Sequence, residues 1–341
     1  MKKILAVLLA MLMLVSMAAC APAGAGEETQ GQIQGAADNE TTGDTAQTGD
    51  KFVIGICQFM PHPALDMATE GFIAAVEEGL GKENVTFETQ NAAGEASNCS
   101  TIVNGLVSSN VDLIMANATP AVAAAYNATE TIPILGTSVT EYGVALGIEN
   151  FSGTVGSNVS GTSDLADLEK QAQMVIDWCP DAKNVGLLFC SAEANSKYQI
   201  EEVQRVLESK GLTCEQFGFA DVNELSAVAQ RACDYADVIY IPTDNTCATY
   251  TETIANVVIP ANVPVVCGES NTCAGCGVAT LSIDYYDLGY TTGKMAAKIL
   301  KGEADIASMP VEFAPKVTKM YNEANCAALG VNIPGDYQPI S

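Results

Sequence analysis

The sequence predicts an α/β protein made of two doubly wound parallel-sheet lobes, and three observations predict it. Short β-branched runs alternate with helix-period segments from Lys51 onward, the pattern of strand, crossover and parallel strand. The alternation restarts after "GTSD" (161–164) and runs through a second series that echoes the first. At 341 residues the chain exceeds what one hydrophobic core ordinarily organises, so two domains are expected.

The first series opens with "KFVIGIC" (51–57), a strand, followed by Leu65, Ala68, Phe72, Ile73 and Val76 at helical spacing. It continues through "VTFETQ" (85–90), a polar helix near 96–109, "VDLIMA" (111–116), a helix from Pro120 and "IPILGTS" (132–138). Four β–α steps of this kind make a doubly wound sheet. In the second series, helices at 164–178, 195–210, 223–235 and 247–258 alternate with strands at 184–190, 212–218, 236–242 and 263–267. Residues 277–303 then read as a strand and a helix with Leu288, Thr292, Met295, Ala296, Ile299 and Leu300 on one face. "MPVEFAP" (309–315) reads as the chain returning to its earlier domain.

Upstream of the fold, Lys2 and Lys3 precede "ILAVLLAMLMLVSMAA", an apolar stretch of export-signal type assigned to residues 1–19. Cys20, directly after small residues, resembles the lipobox cysteine that is acylated in bacterial lipoproteins. Residues 20–50 have almost no large apolar side chain and read as a flexible tether. Without the two signal lysines, 13 basic residues face 41 acidic ones, which argues against nucleic acid or an anionic lipid face as partner. With Cys20 acylated, eleven of the 12 cysteines remain, an odd number, and Cys57, Cys190, Cys214, Cys233 and Cys267 sit in or beside apolar runs as small core residues.

Catalytic constellations are missing. The chain has one histidine, His62, and neither G-x-S-x-G nor H-E-x-x-H. No G-x-G-x-x-G or P-loop follows the first strand of either series, so no cofactor is expected. "CAGC" (273–276) has redox spacing but does not head a helix after a first strand, leaving a disulfide or a free loop pair. Between Pro61 and Pro63, His62 reads as a turn and capping residue at the start of the first helix.

Five stretches carry a more specific likeness: "GICQFMPHPALDMATEGFIAAVEEGL" (55–80), "DLIMANATPAVAAAYNAT" (112–129), "SAEANSKYQIEEV" (191–203), "YIPTDN" (240–245) and "SIDYYDLGYTTGKMAAKILKGE" (282–303). In order and spacing they resemble solute-binding lipoproteins of ABC importers, in the family that includes tryptophan- and tyrosine-binding members. The resemblance implies a type I periplasmic-binding-protein fold, two lobes joined by three crossovers that close on a small ligand. It implies a first lobe of 51–162 plus 286–314 and a second of 163–285 plus 315–341. It also implies a monomeric receptor on the outer face of the membrane that hands its solute, an aromatic amino acid foremost, to a permease. A sugar or nucleoside receptor and a sensory receptor are the alternatives.

In parallel sheets ligands bind outside the carboxyl ends of the strands, which selects the candidate residues. Gln58 and Phe59 follow the first strand, and Thr119 stands before Pro120 as either an N-cap or a carboxylate holder. Thr137 and Ser138 end the fourth strand as ligand-orienting or turn residues. In the second series Ser191, Glu193 and Asn195, with Ser196, exceed what one helix cap needs. Asp244 and Asn245 follow "VIYI", where a carboxylate can meet an ammonium group, and Glu269 is a second candidate for it. Asp284 lies at a crossover, as a hinge, a cap or a ligand contact. Phe59, Tyr142, Tyr198 and Tyr285 are available to hold a ring.

Overall fold

The computed structural model describes residues 51–340; the export and acylation readings lie outside these residues. The first lobe runs β1 (Phe52–Gln58), α1 (Pro63–Leu80), β2 (Val85–Asn91), α2 (Ala96–Ser108), β3 (Leu113–Asn117), α3 (Thr119–Ala128), β4 (Ile134–Val139), α4 (Tyr142–Leu146) and β5 (Val159–Ser163). The second runs α5 (Leu168–Trp178), β6 (Asn184–Cys190), α6 (Ala194–Ser209), β7 (Thr213–Phe219), α7 (Val222–Tyr235), β8 (Val238–Ile241), α8 (Asn245–Thr249), α9 (Thr251–Val258), β9 (Val265–Cys267), α10 (Ser270–Cys276) and β10 (Ala279–Ile283). The chain then forms α11 (Tyr285–Leu300), β11 (Glu312–Phe313), β12 (Val317–Tyr321), α12 (Glu323–Leu329) and β13 (Gln338–Pro339).

The strands form two sheets, ordered β11-β5-β4-β3-β1-β2 and β13-β12-β10-β9-β8-β6-β7. All pairs in the first are parallel; in the second β12 runs antiparallel to β10. The chain passes between the sheets after β5, after β10 and after β11. The inner strands are buried along their whole length, "LIMAN" in β3 and "VIYI" in β8, because helices cover both faces of a parallel sheet. Alternation within β1 shows the two faces: Ile54 and Ile56 pack toward Phe72, Val76 and Met295, while Cys57 joins the opposite cluster with Ile102 and Val122.

Helix α11 belongs to the first lobe because it packs along α1. Gly71 and Gly289 make that possible: a Cβ on Gly289 would collide with the Ala68 carbonyl, and one on Gly71 with the Tyr286 carbonyl. Small residues at such a seam let two backbones approach, which larger ones forbid.

Several elements differ from the sequence reading. Strand β5, "VSGTS", was not anticipated, since it has no large apolar residue after Val159; its buried hydroxyls bond inward, Thr162 Oγ1 lying 2.8 Å from Thr292 Oγ1. The helix expected at 164–178 starts at Leu168, with Asp167 accepting from Lys170 N, and 164–167 form the first crossover. The helix expected at 247–258 breaks at Tyr250 into α8 and α9. "CAGC" is not a loop pair: Cys273 and Cys276 are buried in the last turn of α10, and every described cysteine is a free thiol. Cys57, Cys190 and Cys267 are buried among apolar side chains.

Candidate functional site

The sheet orders bring the carboxyl ends of β5, β4, β3 and β1 into one row and those of β9, β8 and β6 into another. The rows face each other. His62 Nε2 lies 3.3 Å from Asn245 Oδ1 across the divide, and α4 packs against α6. Between them a chamber of about 350 Å³ is lined by Phe59, Met60, Gly94 and Pro120 from the first lobe and Ala192, Glu193, Val222 and Tyr250 from the second. At the neighbouring Asn245, a narrow cavity of about 10 Å³, room for about one water, is lined by His62, Asp164, Asp244, Glu269 and Tyr285. A hollow of about 650 Å³ beside Trp178 and Ile333 lies at the opposite, amino-terminal edge of the second sheet, away from these groups.

Buried polar atoms in folded proteins are nearly all paired. Of nine buried side-chain polar atoms without a partner among the described residues, six sit at these strand ends, in the loops that follow or in the first turn of the next helix: His62 Nδ1, Asn117 Oδ1, Thr119 Oγ1, Ser138 Oγ, Asp164 Oδ1 and Asn195 Oδ1. Two of the non-glycine residues with left-handed backbone lie in the same row. Ala118 and Ser138 are non-glycine residues at φ 86° and 53°, a conformation that persists only where the surroundings enforce it.

The carboxylates divide into four that accept backbone N–H groups and one that accepts only a side-chain hydroxyl. Asp244 accepts from Cys190 N at 2.7 Å and Cys247 N at 2.8 Å, using both oxygens to tie β6 to the head of α8. Burial, and then the charge of Glu193, push its pKa up to about 7. Glu193 accepts from the backbone and side chains of Asn245 and Thr246, and so staples two loops together. Glu269 caps α10 through Asn271 N, at 2.6 Å, and Thr272. Asp284 is exposed and caps α11 through Asp287 N at 3.0 Å.

Asp164, which the sequence reading did not select, is the exception. It lies in the first crossover, is 4% exposed, accepts Tyr285 Oη–H at 3.1 Å on Oδ2, and has no hydrogen-bond partner on Oδ1. Burial pushes its pKa up to about 6, against the Thr140 and Tyr285 hydroxyls, which favour the charge; Glu269 adds to the rise. A buried carboxylate held this way favours a cationic group on its open oxygen. The oxygens of Asp244 and Glu269, read from the sequence as partners for an ammonium group, already accept backbone N–H groups, whereas Asp164 Oδ1 accepts none.

The other candidates also separate. Gln58 is a strut: its amide donates to Met60 O and Asp66 Oδ1 and accepts from Thr69. Thr137 lies in a buried hydroxyl ladder with Thr162, and Ser191 donates to Phe219 O. Tyr142 is buried, donating to Thr162 O, and Tyr198 on α6 is half-buried. Thr119 is not the N-cap of α3; Ala118 holds that position, leaving the threonine hydroxyl free. His62 stands at the N-cap of α1 but makes no side-chain cap bond, its ring turning instead to Asn245. Phe59, Thr119, Ser138, Asn195, Asn245 and Tyr285 remain around the cleft.

Residues 53–337 match the family described as ABC transporter substrate binding protein. The chain is 32% identical over 278 residues to a tyrosine-binding protein of Clostridioides difficile, covering 81% of this chain and 80% of that one. A Streptococcus pneumoniae ABC domain in complex with L-Trp superposes with a TM-score of 0.81 at 31% identity, over 85% of this chain and all of that one. The ligand-free, open structure of a substrate-binding protein with adhesive properties from Clostridium difficile is 33% identical over 85% of this chain and 99% of that one, yet superposes at only 0.66. At near-equal identity, the structure superposes more closely on the tryptophan complex than on the open, ligand-free protein.

Proposed function

Because the chain belongs to the ABC transporter substrate binding protein family, a family of non-enzymatic receptors with the type I periplasmic-binding-protein fold, we propose that it captures an aromatic amino acid for an ABC importer. The observation that carries this reading is the open oxygen of Asp164 in a buried cleft that also holds the unpartnered hydroxyls of Thr119 and Ser138. A zwitterion needs both: an anion for its ammonium, and hydroxyl donors for its carboxylate. The chamber walls of Phe59, Met60, Val222 and Tyr250 supply apolar surface for a ring. A sugar, having no formal charge, leaves Asp164 uncompensated. Export through residues 1–19 and acylation at Cys20 tether the receptor to the outer face of the cell membrane, where it delivers its solute to a permease as a monomer.

Calorimetry with L-tyrosine, L-tryptophan, N-acetyl-L-tyrosine, glucose and adenosine tests the ligand. The free amino acids bind and the N-acetyl derivative, lacking the ammonium, does not; binding of glucose or adenosine alone would overturn the reading. Cys20→Ala releases the protein from the membrane fraction, and retention there would refute the anchor.

A further inference from the structure

The ring of His62 spans the cleft with one nitrogen engaged and one not. Asn245 Nδ2 donates to Glu193 Oε2 at 2.6 Å, which fixes the amide with Oδ1 toward the ring. Only an N–H can meet that oxygen, so Nε2 carries the proton, and in the neutral ring Nδ1 is an acceptor. His62 is 6% exposed, and Nδ1 has no partner. The ring lines the same narrow cavity as Asp164. Pro63, at the first position of α1, fixes the backbone beside it.

We propose that His62 is both a specificity-determining residue and a latch: Nδ1 accepts a hydrogen bond from the bound solute's ammonium, while Nε2–H holds Asn245 of the other lobe. The proposal rests on the amino-acid reading above. An ammonium has three N–H donors, enough for Asp164 Oδ1 and His62 Nδ1 together. A hydroxyl in its place has one donor and cannot serve both acceptors. The solute's amine is thereby sensed by the residue that joins the lobes, so recognition and closure act through one ring.

The test compares L-tyrosine with its α-hydroxy analogue, 4-hydroxyphenyllactate, by calorimetry, and lobe closure by the ligand-induced contraction in small-angle scattering. His62→Ala weakens L-tyrosine about 10- to 100-fold, the range of a lost hydrogen bond to a charged group, and narrows the preference for amine over hydroxyl. His62→Asn, which keeps an acceptor at the δ position, restores part of that preference but not the contraction. Asn245→Ala, which removes the partner that fixes the ring, reduces the contraction. Ligand-free melting near that of the wild type shows that each variant folds. Wild-type affinity, preference and contraction in His62→Ala would overturn the latch while leaving the amino-acid reading in place. Failure of the wild type itself to bind any free amino acid would overturn both.

Discussion

Asp164→Asn separates a ligand-binding carboxylate from a structural one, because the two roles predict opposite effects on stability. Burial raises the Asp164 pKa from 3.8 to about 6, so near pH 8 the ligand-free fold holds a charge that disfavours it by roughly 3 kcal/mol. Asparagine removes the charge and keeps an oxygen for the Tyr285 hydroxyl, while its amide adds a buried donor that costs about 1 kcal/mol. The balance is a ligand-free protein more stable by about 1–2 kcal/mol, a rise of a few degrees in Tm. Binding moves the other way. Removing one partner of a buried ion pair costs about 2–5 kcal/mol, which predicts an affinity for L-tyrosine lower by roughly 30-fold to over 1000-fold. Denaturant melts without ligand and calorimetry with it, both near pH 8, measure the two changes. At pH 5, below its raised pKa, Asp164 is mostly protonated, so the wild type approaches the variant in both respects. Equal affinity in variant and wild type, or loss of stability together with binding, would refute the assignment.

The same carboxylates set the pH dependence of the empty receptor. Asp164 and Asp244 have folded pKa values raised to about 6 and about 7, so between about pH 4 and 7 the folded state binds more protons than the unfolded one. Stability of the ligand-free protein therefore falls as pH rises through that window, and amino-acid affinity rises with it; melts and calorimetry at pH 5, 6, 7 and 8 check both signs. Asp244→Ala strips the partners from Cys190 N and Cys247 N, and at pH 5, below its raised pKa, where no buried charge is relieved, it is expected to lower unfolding free energy by about 2–3 kcal/mol in urea melts. A variant that melts like the wild type would refute its role as a tie. Gly289→Ala forces a methyl against the Ala68 carbonyl and is expected to cost about 1–3 kcal/mol in the same melts, whereas an exposed Gly302→Ala control acts only through its left-handed backbone.

How much of this was legible in the sequence follows from what each residue pattern encodes. Buried parallel strands such as "NVGLLFC" and "VIYI" announce themselves, because burial on both faces demands a continuous apolar run. Place was legible in part: residues after β1, β6 and β8, which the sequence singles out, line shared cavities between the two rows. Roles within them were not, because sequence shows which side chains can bond and not which are already bonded. Asp244, Glu193 and Glu269 have the same carboxylate as Asp164, but their oxygens are spent on the first N–H groups of α8 and α10, a local debt of every helix start, and in Asp244 also on Cys190 N at the end of β6. Asp164 stands four residues before α5, too far to cap it, and follows β5, whose serine and threonine pattern hides a strand. A carboxylate just after a strand and without a helix to cap was the available signal; it became readable only once β5 was known to be a strand. The single histidine misled in a related way. Its place between two prolines looked like a turn, and the turn is there, but a turn fixes the backbone and leaves the ring free to reach a residue 183 positions away. The unpartnered groups of this cleft are those whose side chains the local backbone does not need.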